Sequence, residues 1–341
     1  MPKRRSPKHR RAPTGDATRR NKALVTGSVA LGAYLTGAVA RWVRRSTLYR
    51  PEALPPALEA AVREQELMEG QARFYVRDGT GVPLVLLHSF NAAASSYEMK
   101  PIFEHLAATT ERPLYALDWL GFGLSDRPPV GYRPTLYQRQ LRRFLSEYVN
   151  APADVVALSL GSAYAAVVAA ASSFLVRKLA LVSPTGLSSG RRSSFAQRAL
   201  IGLADGAGAF ELFFYRLTRR DALRRFYARQ VFLEDAQVPH GLVNYAFLTT
   251  HVRGAHYAPR RFIDGTLFLE QEARDAYIRL PRPTLIVVPE QDDGLIQSFD
   301  ALNEVAAQND TYIRAETLPA GLMPHWETPE ALFPLLDDFL T

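Results

Sequence analysis

Val155-Val156-Ala157-Leu158-Ser159-Leu160-Gly161-Ser162-Ala163-Tyr164-Ala165-Ala166 is the stretch that decides the fold. Its first four residues are an uninterrupted apolar run, the pattern of a strand covered on both faces of a parallel sheet. Residues 162–171 are Ala-rich and predict a helix. Ser159 therefore falls on a sharp strand-to-helix turn, which lifts its hydroxyl above the sheet and requires small residues on either side. The usual form of that turn is G-x-S-x-G. Here Ala157 takes the first glycine position, and a methyl group is a tolerable addition. The helix opening at Leu160 turns its N–H groups and positive dipole end towards the serine, where an oxyanion would develop. A serine that only caps a helix would look the same in isolation, so the flanking chain has to decide.

Outward from this stretch, apolar runs alternate with helical ones. Strands are expected at residues 72–76, 84–88, 114–118, 155–158, 179–182, 285–288 and 313–318, with helices such as 97–107, 136–149 and 162–171 between them. That alternation predicts an α/β fold with a doubly wound, mostly parallel sheet. It is interrupted once, over residues 187–266, which are rich in Arg, Phe and Tyr and predict a helical cap inserted between core strands. The cap aromatics Phe213, Phe214, Tyr215, Phe226, Tyr227, Tyr245 and Phe247 have two readings, an apolar pocket wall or ordinary helix packing. The core is expected over 72–186 and 267–341, and residues 44–71 are expected as a helical linker.

The net charge of +7 is unevenly placed. The first 50 residues hold 13 Lys/Arg and one acid, leaving 28 Lys/Arg against 33 Asp/Glu in the rest. The body is mildly acidic and carries no basic cluster of the kind that binds nucleic acid. With 47% apolar residues it can bury a sizeable core. The absence of cysteine excludes disulfides, thiol catalysis and cysteine-ligated metals.

Residues 1–22 form a basic tail, and 23–40 carry no charge before Arg41, Arg44 and Arg45. Eighteen helical residues span roughly 27 Å, close to the thickness of a bilayer core, and Trp42 and Val43 extend the span if Arg41 snorkels. One reading is a membrane anchor over 23–43 with the denser basic flank inside, placing the body outside the cytoplasm. Another is a cleaved export signal, with Arg19-Arg20 as a twin-arginine start and Ala38-Val39-Ala40 as a small-residue cleavage site. A buried soluble helix is the weakest reading, since the stretch has no polar face.

Three further segments bear on chemistry. Leu84-Val85-Leu86-Leu87-His88-Ser89-Phe90-Asn91 ends a strand in a loop whose Phe90 N–H is the best candidate for a second oxyanion donor, beside that of Leu160. His88 reads there as a structural histidine. Ser95 and Glu98 follow at capping-box spacing. Asp118-Trp119-Leu120-Gly121-Phe122-Gly123-Leu124-Ser125 supplies two glycines for a tight turn at a strand end. The third segment is Pro283-Thr284-Leu285-Ile286-Val287-Val288-Pro289-Glu290-Gln291-Asp292.

Taken in order, the His88 loop, Asp118–Ser125 and the Ser159 turn resemble the α/β-hydrolase family over about residues 72–341. The resemblance implies a serine hydrolase acting on an ester or other acyl substrate, with no cofactor and no metal. Ser159 is then the nucleophile, and Asp292 matches the position of the triad acid. A dehalogenase is disfavoured because the turn carries Ser in place of an Asp nucleophile. The chain departs from the family at Gly321-Leu322-Met323-Pro324-His325-Trp326-Glu327, where Leu322 stands at the usual position of the base. His325 matches the family's second histidine and is the only one after the acid. Three readings follow: His325 swings in as the base; a cap histidine, His240, His251 or His256, approaches the site from above; or His325 packs below the site and the fold serves as a ligand- or protein-binding module.

Overall fold

The apolar runs become strands because a four- to seven-residue β-branched or Leu-rich run can hide both faces only inside a sheet. The computed structural model describes residues 53–189, 209–233 and 238–341. Eight strands form one sheet: β1 (Ala61–Leu67), β2 (Gly70–Arg77), β3 (Leu84–Leu87), β4 (Leu114–Leu117), β5 (Ala153–Leu158), β6 (Val176–Val182), β7 (Thr284–Pro289) and β8 (Ile313–Leu318). Their spatial order is β1-β2-β4-β3-β5-β6-β7-β8. Strands β4 to β8 and β3 run parallel, while β1 and β2 are antiparallel additions at one edge. All residues of β3, β5 and β7 are buried, as their unbroken apolar runs require.

Of the helical linker expected over 44–71, residues 44–52 lie outside the described residues, and strand β1 takes the place of helix over 61–67. Its Ala, Glu and Arg residues favour a helix by propensity, but tertiary pairing overrides this. Residues 61–64 are exposed, and the strand lies at the sheet edge, where charge discourages further pairing. Glu64 sits directly opposite Arg73, and the two side chains meet at 2.7 Å. The basic tail expected at 1–22 and the anchor or signal expected at 23–43 lie outside the described residues. Among the described residues no helix is long and apolar enough to cross a membrane.

The helices are α1 (Lys100–Thr109), entered through a 3-10 turn at Ser96–Met99, α2 (Pro134–Arg143), continued by a π-helical segment at Phe144–Val149, and α3 (Leu160–Ala171). The insertion after β6 holds α4 (Ala209–Leu217), α5 (Arg220–Gln230), α6 (His240–Thr250) and α7 (Tyr257–Ile263). Then come α8 (Glu270–Arg279), α9 (Leu302–Gln308), α10 (Pro324–Glu327) and α11 (Pro329–Leu340). Helix α3 buries Ala163, Ala165, Ala166 and Ala169, whose small side chains let it lie close to the sheet and to α8. The cap is keyed to the core by an aromatic stack. Tyr97 lies 4.7 Å from Tyr245 of α6 and 6.1 Å from Trp326 of α10, near-parallel to both.

Candidate active site

Parallel strands end on one side of the sheet, so the loops after β3, β5 and β7 converge there. Ser159 joins β5 to α3 with φ 51° and ψ −121°. A left-handed serine costs about 1–3 kcal/mol and persists only where its surroundings impose it. Those surroundings are visible. The Ser159 N–H donates to the Val182 carbonyl at 2.9 Å, its carbonyl accepts from the Ser162 N–H, and the Ser162 hydroxyl donates back to the Ala157 carbonyl at 2.7 Å. Gly161 is required by close approach: a Cβ there would lie 2.4 Å from the His88 carbonyl oxygen. That contact presses the β3 loop against the first turn of α3.

The backbone N–H groups of Phe90 and Leu160 are both buried, and among the described residues neither donates a hydrogen bond. Buried donors are paired in the great majority of cases, so two orphans, one next after the serine and one in the loop that abuts Gly161, are a distinct feature. The Phe90 ring is locked among Trp119, Phe122, Tyr137 and Tyr164. His88 is structural, as expected. Its Nδ1–H donates to the Ser89 carbonyl at 2.7 Å, Nε2 accepts from the Trp119 N–H, and burial pushes it down to about 3.

The expected capping box at Ser95 and Glu98 does not form. No side chain caps the 3-10 turn, because the Glu98 carboxyl turns inward to the β3 loop, accepting from the Ser89 N–H at 3.0 Å and from Asn91 Nδ2 at 2.7 Å. Burial lifts this carboxyl to about 7, against the pull of those donors. Asp118 is buried too. It accepts from the Ser96 and Leu124 N–H groups, and burial raises its carboxyl. The turn after it needs Gly123, with φ 49°, since a Cβ would fall 2.1 Å from the Asp118 carboxyl carbon.

The other half of the expected triad is arranged differently. The Ser159 hydroxyl donates to Oε1 of Gln297 at 3.4 Å, a long bond. Gln297 is fixed by its own amide, which donates to the carbonyls of Ser183 at 2.9 Å and Pro184 at 2.7 Å. Asp292 is half-buried after β7, and its carboxylate accepts from the Phe299 N–H at 2.8 Å within its own loop. His325 is buried on α10. Because a carbonyl only accepts, its Nε2 carries the proton that bonds the Glu98 carbonyl at 2.8 Å. Among the described residues its Nδ1 has no partner, and burial lowers the imidazole to about 4. Leu322 is buried, and its N–H donates to the Val231 carbonyl at 2.7 Å, tying the segment to the end of α5. Among the described residues no hydrogen bond joins Ser159 to Asp292 or to any histidine. Sequence reasoning missed Gln297, for which no motif exists, and missed the inward role of Glu98.

A cavity of about 930 Å³ opens between core and cap. Asn91, Gly186, Tyr227, Gln230, Phe268 and Ile296 are among its walls, next in sequence to Phe90 and Gln297 in two cases. Of the cap aromatics, Phe226 and Tyr227 line it, whereas Tyr245 packs on Tyr97 and Phe247 on His251 and Arg220. Arg225, Arg229, Arg274, Glu270 and Glu272 also contribute, so the wall is mixed rather than apolar.

Comparison with solved structures bears on the fold. A probable hydrolytic enzyme from Pseudomonas aeruginosa superimposes with a TM-score of 0.66 at 17% identity, covering 86% of this chain and 97% of that one. Cfl2 from Burkholderia cenocepacia gives 0.63 at 21%, covering 82% and 95%. Naproxen esterase from Bacillus subtilis gives 0.61 at 16%, covering 88% and 95%. No curated protein matches the chain in sequence. A family model described as the alpha/beta hydrolase family matches residues 84–335, from the first parallel strand to the last helix, elbow and cap included. With the eight-stranded sheet and its left-handed serine turn, this match means that the chain belongs to the alpha/beta hydrolase family.

Proposed function

We propose that this protein is a serine hydrolase for an ester or other acyl substrate, with Ser159 the attacking group and a resting arrangement in which no base is engaged. The observation that carries the reading is a pair of acceptor-free, buried N–H groups, on Leu160 next after a strained serine and on Phe90 in the loop whose His88 carbonyl abuts Gly161. Such a pair suits the oxygen of a tetrahedral intermediate. The base is His325, which is neutral near pH 7 and so able to accept a proton, with Asp292 orienting it. Engagement requires His325 to exchange its bond to the Glu98 carbonyl for one to Ser159, a movement that substrate entry would drive. Residues 23–43 are the proposed membrane tether, holding the body outside the cytoplasm.

A second reading is favoured by Leu322 at the usual base position and by the Gln297 amide on Ser159, since an amide cannot take the serine proton. In that reading the cavity binds acyl compounds, and turnover stays at the roughly 10³–10⁴-fold over water that an oxyanion hole provides without a triad. A fluorophosphonate probe separates the two. For the hydrolase, wild type labels, Ser159→Ala does not, and His325→Ala labels much more slowly. Unlabelled wild type that still binds acyl compounds gives the binding module. Labelling indifferent to His325 removes it as base.

A further inference from the structure

We propose that Glu98 is the positioning residue of the oxyanion loop: its carboxylate holds the Phe90 N–H in place, the protonated acid releases it, and capture of an acyl oxyanion at Ser159 therefore strengthens as pH rises. This rests on the reading of Phe90 and Leu160 as oxyanion donors.

The two grips of Glu98 bracket Phe90. One oxygen takes the Ser89 N–H, and the other takes Asn91 Nδ2. Asn91 passes the constraint on, donating to the Ser89 hydroxyl at 3.0 Å and accepting from the Ala93 N–H at 2.7 Å. Through its main-chain carbonyl Glu98 accepts from His325 Nε2 and, at 2.9 Å, from Trp326 Nε1. A single buried glutamate thus joins the oxyanion loop to α10. The Ser89 hydroxyl is a third partner. An ionised carboxylate accepts from all three, whereas a carboxylic acid must turn its own O–H to that hydroxyl, the one partner able to accept, and so offers less to the N–H donors. Charge-assisted bonds are about twice as strong as neutral ones, so the grip depends on ionisation.

Burial raises the Glu98 carboxyl to about 7 against its Ser89 and Asn91 donors, and Asp118, after β4, adds to the rise; the Asp118 carboxyl is itself raised by burial. His88 of the β3 loop and His325 of α10 are held near 3 and 4, and burial of Tyr227 on α5 drives its phenol far above the ordinary range, so all three are uncharged where Glu98 titrates.

The test uses the full chain, wild type beside Glu98→Gln and Asn91→Ala. It measures the rate of fluorophosphonate labelling from about pH 6 to about pH 8, and hydrogen exchange over residues 88–94 corrected for intrinsic rates. In the wild type we expect labelling to rise about tenfold with a midpoint near 7, and loop protection to rise in parallel. Glu98→Gln loses both slopes. Asn91→Ala slows labelling about threefold at every pH and keeps the slope, since one grip remains. A wild-type slope in Glu98→Gln, or loop exchange that ignores pH, overturns the proposal. Failure of any form to label sinks the acyl reading alone, and the exchange measurement still decides the role of Glu98. Should Glu98→Gln not fold, wild-type loop exchange across the same range decides it.

Discussion

The elbow side of Ser159 and the base side of the same site obey different rules. On the elbow side the contacts are mostly backbone to backbone or forced by a missing Cβ: Ser159 to Val182, Gly161 against His88, two donors left open at Phe90 and Leu160, with the Ser162 hydroxyl on the Ala157 carbonyl as the side-chain exception. On the base side the contacts come from side chains that serve their own neighbourhoods. Asp292 closes a loop, His325 bonds Glu98, and Gln297 bridges Ser159 to the strand end at Ser183. Backbone geometry is hard to rebuild without rebuilding the sheet, whereas a side-chain contact changes with one substitution. The strained half of a catalytic site can therefore persist intact beside a half that has been rearranged.

The contrast breaks most completely at Ser159 itself. Ser159→Gly should abolish phosphonate labelling, yet leave stability unchanged or raise it by up to about 1 kcal/mol, because glycine takes a positive φ without penalty. Urea unfolding checks this. A loss of more than about 1 kcal/mol would mean that the elbow is not strained. Leu322→His sharpens the comparison from the other side. An imidazole at that position, with Asp292 nearby in the loop order of the fold, should raise the labelling rate about 100-fold, the low end of general-base effects. An unchanged rate would show that the base side differs by more than one residue.

The smallest effect concerns acid. The His325 imidazole is held near 4 in the fold against 6.5 when free, so the unfolded chain binds its proton first. The stability it contributes is present above about pH 6.5 and is lost as pH falls through about 4; at about pH 5 the loss is about 2 kcal/mol. His325→Gln keeps a donor for the Glu98 carbonyl and should flatten the fall in Tm between about pH 7 and about pH 5. An equal fall in both proteins would place the acid sensitivity elsewhere, with His88 next in line.

What could be read in the sequence follows the same division. Seven of the eight strands were legible, the interior parallel ones as apolar runs because both their faces are covered. The elbow was legible because its chemistry lies in five consecutive residues. Strand β1 was not, since an edge strand carries the charged residues that also suit a helix. Gln297 and Glu98 stayed hidden for another reason. Gln297 is held by Ser183, 114 residues away, and the Glu98 carboxyl bonds Ser89 and Asn91, nine and seven residues back, at a spacing that belongs to no motif.

The stack of Tyr97 on Tyr245 and Trp326 has an optical consequence. The chain has three tryptophans, of which Trp42 belongs to the N-terminal segment and Trp119 is sealed inside the core. Trp326 is half-exposed, and its indole shares a tyrosine neighbour with cap helix α6. Any separation of cap from core unstacks Tyr97 from Tyr245 and opens that indole to water. With Trp42→Phe in place, a red shift in emission on adding ligand would time the opening of the cap without any attached dye, against the constant background of Trp119.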